Sequence, residues 1–251
     1  MISLNNLGVT YQDGTIALHN ISIEFTQGEF TVILGSSGAG KSTLLRCINF
    51  LTHPTSGQVI TEDNGNLHHP KILQKHRQRT GMIFQQHQLI PRQTALKNVL
   101  VGRLGYHSTL KSLFPLPKKD QYIALNCLER VGLLDKALTP VKALSGGQQQ
   151  RVGIARALAQ KPKFLLADEP IASLDPASSH QVLSNLRKIC QEDGIGALVS
   201  LHQVDLALEY ADRIIGLGKG TILFDGSPSE IKNQQLEEIY QTLSLSNTNS
   251  P

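Results

Sequence analysis

The chain has few cysteines, no tryptophan and no long apolar stretch. Its 251 residues include 3 Cys, 7 Phe, 5 Tyr and no Trp. Cys47, Cys127 and Cys190 lie far apart, so the sequence predicts free thiols in a reducing compartment rather than a disulfide framework. No apolar run approaches the roughly 20 residues that a membrane-spanning helix needs, and no signal-peptide pattern opens the sequence. We therefore expect a cytoplasmic protein that reaches a membrane only through a partner.

The net charge is small, and the two signs are mixed along the chain. The 24 Lys and Arg against 20 Asp and Glu give a net charge of +4. No long basic block and no basic patch with interleaved aromatics is present, which predicts no nucleic-acid partner. Five histidines lack the Cys or carboxylate spacing of a metal site, so we expect them at the surface. They are His68, His69, His76, His87 and His107.

Apolar patterning predicts one α/β domain with several strands. Residues 2–11 and 16–25 are predicted to pair around a turn at 12–14. Continuous apolar runs, typical of buried parallel strands, follow later in the chain. The remaining predicted strands cover residues 30–34, 57–61, 81–84, 164–167 and 196–201, and a hairpin covers 213–217 and 220–224.

Helical patterning dominates the middle of the chain. A first helix is predicted over 43–51, and apolar residues at three- and four-residue spacing predict further helices between 87 and 160. Two segments are predicted to be irregular, a polar and histidine-bearing one at 62–79 and a proline-bearing loop at 105–119. The polar tail at 244–251 is predicted to be disordered. The helices within the middle segment cover 94–104, 122–131 and 147–159.

A glycine-rich segment lies between the predicted strand at 30–34 and the first helix. It consists of Gly35, Ser36, Ser37, Gly38, Ala39, Gly40, Lys41, Ser42 and Thr43, and it matches the phosphate-binding P-loop pattern in its expected context. Glycines allow several backbone N–H groups to face one point, and the helix N-terminus adds positive partial charge. We expect Lys41 to reach the β- and γ-phosphates of a bound nucleotide, and Ser42 to ligate Mg²⁺.

Two carboxylates follow the buried strand at 164–167. The carboxyl ends of parallel strands form the edge of the sheet where ligands gather, so we expect Asp168 and Glu169 near the P-loop. Asp168 is predicted to hold Mg²⁺ through water. Glu169 is predicted to polarise the attacking water as a general base.

A second candidate anion site precedes the predicted helix at 147–159. It consists of Leu144, Ser145, Gly146, Gly147 and Gln148. Ser and Gly at a helix start can cap the helix or bind an anion with backbone N–H groups. One chain needs only one cradle for a γ-phosphate, so the second site suggests a dimer. The simpler alternative is that Ser145 only caps the helix.

The P-loop, Leu144–Gln148 and Asp168–Glu169, in this order, resemble the ATP-binding-cassette (ABC) ATPases. The resemblance covers residues 1 to about 230. It implies a P-loop NTPase fold with a RecA-like core, an N-terminal antiparallel β subdomain and an inserted helical subdomain. The implied boundaries are 1–86 and 161–243 for the core and 87–160 for the helical subdomain.

Three further residues take roles by this resemblance alone. Gln85 resembles the Q-loop glutamine that ligates Mg²⁺ and senses the water, with Gln86 as the competing position. His202 resembles the switch histidine that contacts the γ-phosphate and positions the catalytic glutamate. Asp175 resembles the D-loop aspartate, which works across the interface of the dimer.

The resemblance also implies how nucleotide is held. Tyr11 resembles the aromatic residue that stacks on adenine, although a half-buried strand tyrosine is the alternative. Stacking contacts a π face rather than a hydrogen-bonding pattern, so other nucleoside triphosphates are not excluded. In the family, the signature loop, here Leu144–Gln148, closes on the γ-phosphate held by the other subunit. The implied cofactors are ATP and Mg²⁺.

Within the family, three stretches resemble the phosphonate-import ATP-binding subunits. They are residues 81–86 with 98–106, 168–176 and 201–207. This implies an ATPase subunit at the cytoplasmic face of the cell membrane. The implied partners are a second copy of the chain, two membrane permease subunits and an extracytoplasmic phosphonate-binding protein. Residues 87–92 depart from the usual apolar stretch, at the place where a membrane subunit would dock.

Two alternatives stay open at this point. One is the ATPase of an importer for phosphate-like, phosphite-like or amino-acid solutes, and the other is an ABC ATPase without a transport role. The DNA-repair and chromosome-organising members carry a long coiled coil between the positions of Gln85 and Ser145, which is missing here. The translation-factor members carry two cassettes, whereas this sequence has one.

Overall fold

The computed structural model describes residues 1–61, 67–86, 88–108 and 114–241; the predicted tail at 244–251 lies outside them. Within these residues the chain forms nine strands and eight α-helices. The strands are β1 (Ile2–Thr10), β2 (Ile16–Phe25), β3 (Phe30–Leu34), β4 (Ser56–Thr61), β5 (Thr80–Ile83), β6 (Phe164–Ala167), β7 (Gly196–Leu201), β8 (Arg213–Gly218) and β9 (Thr221–Gly226). The helices are α1 (Lys41–Ile48), α2 (Pro70–Arg79), α3 (Ala95–Leu100), α4 (Lys118–Arg130), α5 (Gly146–Ala159), α6 (Pro176–Asp193), α7 (Val204–Tyr210) and α8 (Asn233–Gln241).

The first strands form a three-stranded antiparallel sheet in the order β2-β1-β4. Ile2 lies opposite Phe25 on one side and Thr61 on the other. Leu7 and Val9 are buried, while several neighbouring β1 positions are exposed, so one face of the sheet packs against the core. The predicted N-terminal β subdomain is therefore present.

The second sheet has six strands in the order β5-β6-β7-β3-β8-β9. All are parallel except β9, which pairs antiparallel with β8 as the predicted hairpin. Leu34 pairs with Leu201, so these strands end at the same edge. Gly35, Asp168 and His202, which follow three neighbouring strands, consequently emerge side by side. The predicted α/β class is confirmed.

Apolar residues of this sheet pack into two separate hydrophobic cores. Phe30, Val32 and Leu34 of β3 pack into a core shared with the helices α3, α4 and α5, whereas Ile33 packs with the antiparallel sheet and α1. Helices α3, α4 and α5 also pack against one another. In the sequence, all three lie between β5 and β6. They lie in the segment predicted as the helical subdomain, whose exact boundaries remain a prediction.

The segment at 62–79 corrects the sequence analysis, because its described part contains the helix α2. Pro70 occupies the first helical position, where a missing N–H is harmless. The helix was missed because it is polar and has only Ile72 and Leu73 as apolar residues. The predicted loop at 105–119 is also shorter than expected, since a 3₁₀ helix runs over Val101–Tyr106 and α4 begins at Lys118.

The prediction that the histidines are surface residues is wrong for His76. Its side chain is buried on α2, and its Nε2 lies 2.7 Å from the carbonyl oxygen of Ile48. Burial lowers the pKa of this imidazole. His107 is only partly exposed and contacts the carboxylate of Asp120 at 2.7 Å. His87 lies outside the described residues.

The predicted free thiols are present. Cys47, Cys127 and Cys190 are all buried and unpaired. Burial raises the pKa of Cys47 and Cys190 to about 12 and that of Cys127 to about 11. The three residues are inert packing groups. Among the helices of the described ranges, none has both the length and the apolarity that crossing a bilayer requires.

Candidate functional site

The P-loop turns sharply between β3 and α1. Gly38 and Gly40 adopt left-handed conformations, with φ of 80° and 103°. A Cβ at Gly40 would lie 2.5 Å from the carbonyl oxygen of Ala17, so only glycine fits there. The helix α1 begins at Lys41 with no side-chain cap on its first N–H groups. These N–H groups remain available to an anion.

Lys41 is a buried cation held by backbone oxygens. Its ammonium donates to the carbonyl oxygens of Gly35 at 2.8 Å and Ser36 at 3.0 Å. Burial lowers its pKa, while the carboxylates of Glu169 and Asp168 act in the opposite direction. A buried ammonium within a glycine-rich loop is suited to bind a phosphate.

Asp168 lies at the end of β6 and is buried, with 1% exposure. Ser42 donates to its Oδ1 at 2.7 Å, and Ser200 does so at 3.2 Å. The guanidinium of Arg46 lies 3.8 Å from the other carboxylate oxygen. These partners compensate the buried negative charge and fix the direction of the carboxylate.

Glu169 is held on both carboxylate oxygens. Gln85 donates from Nε2 to Oε2 at 2.8 Å, and the Nε2 of His202 contacts Oε1. The backbone of Glu169 is left-handed, with φ of 47°, and its N–H donates to Ser200 at 2.9 Å. Such a conformation is uncommon for a residue other than glycine and concentrates at functional sites. The structure thus brings Gln85, Glu169 and His202 together with Lys41.

Two residues of this site were not predicted from the sequence. Ser200 is the one polar side chain in the apolar strand β7, two positions before His202 and therefore on the same face. That position was a usable signal. Tyr240 of α8 donates to the carbonyl oxygen of His202 at 2.9 Å. No sequence pattern pointed to the contact of Tyr240 with His202, because only the fold brings α8 to the end of β7.

Tyr11 lies beside the P-loop, directly after β1. Its hydroxyl is 2.9 Å from the hydroxyl of Thr43, and the side chain is exposed. Its exposure agrees with a stacking surface for a base, and its hydrogen bond agrees with a tyrosine fixed at the end of a strand. Its contact with adenine stays a prediction.

The Leu144–Gln148 segment forms a complete helix cap. Ser145 accepts from the N–H of Gln148 at 3.3 Å, and the Gln148 side chain accepts from the N–H of Ser145 at 3.0 Å. This is a capping box. A Cβ on Gly146 would meet no atom within 4 Å, so packing in this chain does not require glycine there. Ser145 therefore does cap the helix, as the simpler alternative states. The contact of this segment with a second copy stays a prediction.

Asp175 also caps a helix. Its carboxylate accepts from the N–H of Ser178 at 3.0 Å at the start of α6. The hydrogen bonds from the Ser178 hydroxyl and, second, from this N–H lower the pKa of Asp175. The side chain is fixed at the surface with a negative charge. Its work across a dimer interface stays a prediction.

The donor set at Ser42 and Asp168 fits Mg²⁺. Hydroxyl and carboxylate oxygens are the hard ligands that this ion prefers, and it usually takes one or two carboxylates while keeping several waters. Gln85 uses its amide nitrogen on Glu169, so its carbonyl oxygen remains for a metal or its water. Ser42, Asp168 and Gln85 are the residues that would hold the ion.

The ABC transporter family model matches residues 18–172, which is more than half of the chain. With the fold and site described above, the chain belongs to the ABC transporter family and is one of its ATP-binding ATPases.

Individual relatives refine this assignment. The chain is 90% identical over 97% of both sequences to the phosphonates import ATP-binding protein PhnC 1 of Trichodesmium erythraeum (strain IMS101). It is 61% identical, over 96% of this chain and 87% of the relative, to the phosphite import ATP-binding protein PxtA of Stutzerimonas stutzeri. Among solved structures, it superimposes with a TM-score of 0.79 and 36% identity on the dimeric post-hydrolysis cassette MJ0796 bound to ADP and Pi, covering 91% of this chain and 99% of the other.

Proposed function

We propose that the chain is the ATP-hydrolysing subunit of a phosphonate importer. The observation that carries the hydrolytic assignment is the fixed carboxylate of Glu169, held by Gln85 and His202 beside the P-loop. The substrate assignment depends on the 90% identity to the phosphonates import protein of Trichodesmium.

In this proposal, Lys41 and the first N–H groups of α1 bind the β- and γ-phosphates of ATP. The ammonium leaves its backbone partners, Gly35 and Ser36, for the stronger charged acceptor. Ser42, Asp168 and Gln85 would hold Mg²⁺, which would supply charge neutralisation at the phosphates.

Glu169 acts as general base for the attacking water. A general base must lie within hydrogen-bond reach of the proton that it accepts, which requires a fixed carboxylate. Gln85 and His202 provide that fixation, and the ring of His202 also lies 3.5 Å from the Lys41 ammonium. His202 therefore contacts both the phosphate-binding cation and the base.

A second copy of the chain completes the site. The segment Ser145–Gly147, which is open beside Gly146, presents the start of α5 to the γ-phosphate held by the other copy. Asp175 lies at the start of α6 and contributes across the same interface. ATP then holds the two copies together until hydrolysis.

A role in an importer implies the remaining partners. Two membrane permease subunits bind the helical subdomain and keep the chain at the cytoplasmic face of the membrane. An extracytoplasmic phosphonate-binding protein delivers the substrate. Selectivity then resides in those partners, because this chain contacts ATP and not the solute.

Phosphite is the second candidate solute. The 61% identity to the phosphite import protein of Stutzerimonas favours it over phosphate or an amino acid. A non-transport ATPase has no such support among the relatives named here.

An uptake experiment separates these assignments. A strain without the chain receives wild type, Glu169→Gln or the control Glu24→Gln, whose exposed carboxylate lies on β2. Uptake of labelled methylphosphonate, phosphite and phosphate is measured in each. We expect methylphosphonate uptake with wild type and Glu24→Gln only, and a drop of at least about 100-fold in the ATPase kcat of purified Glu169→Gln with retained ATP binding.

Each part of the proposal can fail separately. Uptake of phosphite alone would move the assignment to phosphite, and unchanged uptake of all three in the deletion strain would reject the transport role. Wild-type turnover by Glu169→Gln would remove Glu169 from the base role.

A further inference from the structure

Ser200 has a position that its sequence environment does not explain. It is the one polar residue in the apolar strand β7, and its side chain is fully buried, with 0% exposure. Buried polar groups are retained where they have partners. The partners of Ser200 all lie where the neighbouring strand β6 ends, at the two candidate catalytic carboxylates.

The Ser200 hydroxyl lies at the junction of these two residues. It accepts from the backbone N–H of Glu169 at 2.9 Å and lies 3.2 Å from Oδ1 of Asp168. The carbonyl oxygen of Ala167 is farther away, at 3.4 Å. A serine hydroxyl has one proton to donate. The geometry therefore favours donation to Asp168 and acceptance from Glu169 at the same time.

The backbone of Glu169 needs such a partner. The ladder between β6 and β7 ends at the pair Ala167 and Val199, so the Glu169 N–H lies beyond it, and φ of 47° turns the following chain away from the strand. The bond to Ser200 fixes this left-handed turn. This left-handed turn directs the Glu169 side chain toward Gln85 and His202.

We propose that Ser200 is a positioning residue for ATP hydrolysis. Its hydroxyl fixes the Asp168 carboxylate relative to the turn at Glu169, so that the metal-binding carboxylate and the base keep one spacing. In this role Ser200 acts through Asp168 and Glu169, which its hydroxyl contacts. The inference depends on the proposed roles of Asp168 and Glu169.

Four variants test it as matched pairs. Ser200→Ala removes the hydroxyl, and Ser200→Thr against Ser200→Val compares two side chains of equal shape with and without a hydroxyl. Both β-branched residues suit a strand. Ser3→Ala is the control, because Ser3 is another buried serine with a hydrogen bond, to Glu24 on the antiparallel sheet. Glu169→Gln is measured alongside them.

The readouts are kcat, KM for ATP, equilibrium binding of a fluorescent ATP analogue with Mg²⁺, and the melting temperature of the full chain. We expect Ala and Val to lower kcat by about 10- to 100-fold, as displaced catalytic groups do, while KM and binding change by less than about threefold. Thr restores kcat to within about fivefold of wild type. Ser3→Ala leaves kcat unchanged.

Several results would overturn the inference. Ala and Val could keep wild-type kcat, or Thr could be as impaired as Val. Variants that fail to fold or to bind ATP would show a structural role only. If Glu169→Gln also kept its turnover, the proposed hydrolytic site would fail with it. If Glu169→Gln lost its turnover while Ser200→Ala kept the wild-type kcat, the positioning role alone would be rejected.

Discussion

At the scale of single residues, Gly40 is a glycine that the phosphate cradle requires. Gly40 combines φ of 103° with a position where a Cβ would lie 2.5 Å from Ala17 O and 2.9 Å from Leu18 Cδ2. We expect Gly40→Ala to lower the free energy of unfolding by roughly 2–4 kcal/mol and to weaken ATP binding at least about tenfold. Chemical denaturation and equilibrium nucleotide binding measure both effects.

Gly28 provides the matched control. It also has a positive φ, 80°, but a Cβ there would meet no atom within 4 Å. Gly28→Ala is therefore expected to lose about 1 kcal/mol of stability and no ATP affinity. Equal losses of affinity in both variants would show that left-handed strain alone, rather than the crowding at Gly40, accounts for the effect.

At this scale the sequence predicted much of the site. Lys41, Asp168 and Glu169 follow from a loop pattern and from the rule that parallel strands end at one edge. Ser200 could have been found from its polar position in the apolar strand β7, whereas Tyr240 could not, because its partner depends on which elements are neighbours. Strand order is a property of the whole sheet, which a local pattern does not encode.

At the scale of elements, the helix α8 contacts the backbone of His202, the candidate switch histidine. Its Ile239 is fully buried against Gly216 of β8, where a Cβ would lie 2.2 Å from Ile239 Cδ1. This packing seats α8 so that Tyr240 donates to the carbonyl oxygen of His202 at 2.9 Å. The helix therefore supports the backbone at the end of β7.

We expect Tyr240→Phe to lower kcat by about two- to tenfold and the free energy of unfolding by about 1 kcal/mol, because one hydrogen bond is lost. ATPase kinetics and thermal unfolding measure the two quantities. Tyr122→Phe is the control, since the Tyr122 side chain is 70% exposed on α4. A kcat equal to that of wild type would limit α8 to a packing role.

Elements differ in how well their sequences predicted them. The buried strands β3, β6 and β7 were placed within a residue, because continuous apolar runs bounded by other patterns are specific. The helix α2 was missed because its buried side consists of His76 and the partly buried Ile72 and Leu73 rather than of a continuous apolar stripe. The helix α8 was also missed, although Leu236, Ile239 and Tyr240 follow the three- and four-residue spacing that predicts an amphipathic helix.

At the scale of the whole molecule, the dimer proposal assigns the two candidate anion sites of one chain, the P-loop and the start of α5, to different nucleotides. The P-loop is complete within the chain, with Lys41 and α1 already positioned. The start of α5 is capped by Ser145 and open beside Gly146. A bulky charged side chain at Ser145 should therefore leave ATP binding intact and block only the approach of a second copy.

We expect Ser145→Arg to bind ATP within about threefold of wild type and to lose hydrolysis by at least about 100-fold. In a Glu169→Gln background, where ATP persists, size-exclusion chromatography should show an ATP-dependent dimer that Ser145→Arg abolishes. Loss of the cap alone costs about 1 kcal/mol. Thr94→Ala, which removes the equivalent cap of α3, isolates that effect and should keep the dimer. A Ser145→Arg chain that no longer binds ATP, or one that still dimerises, would contradict a site shared between two copies.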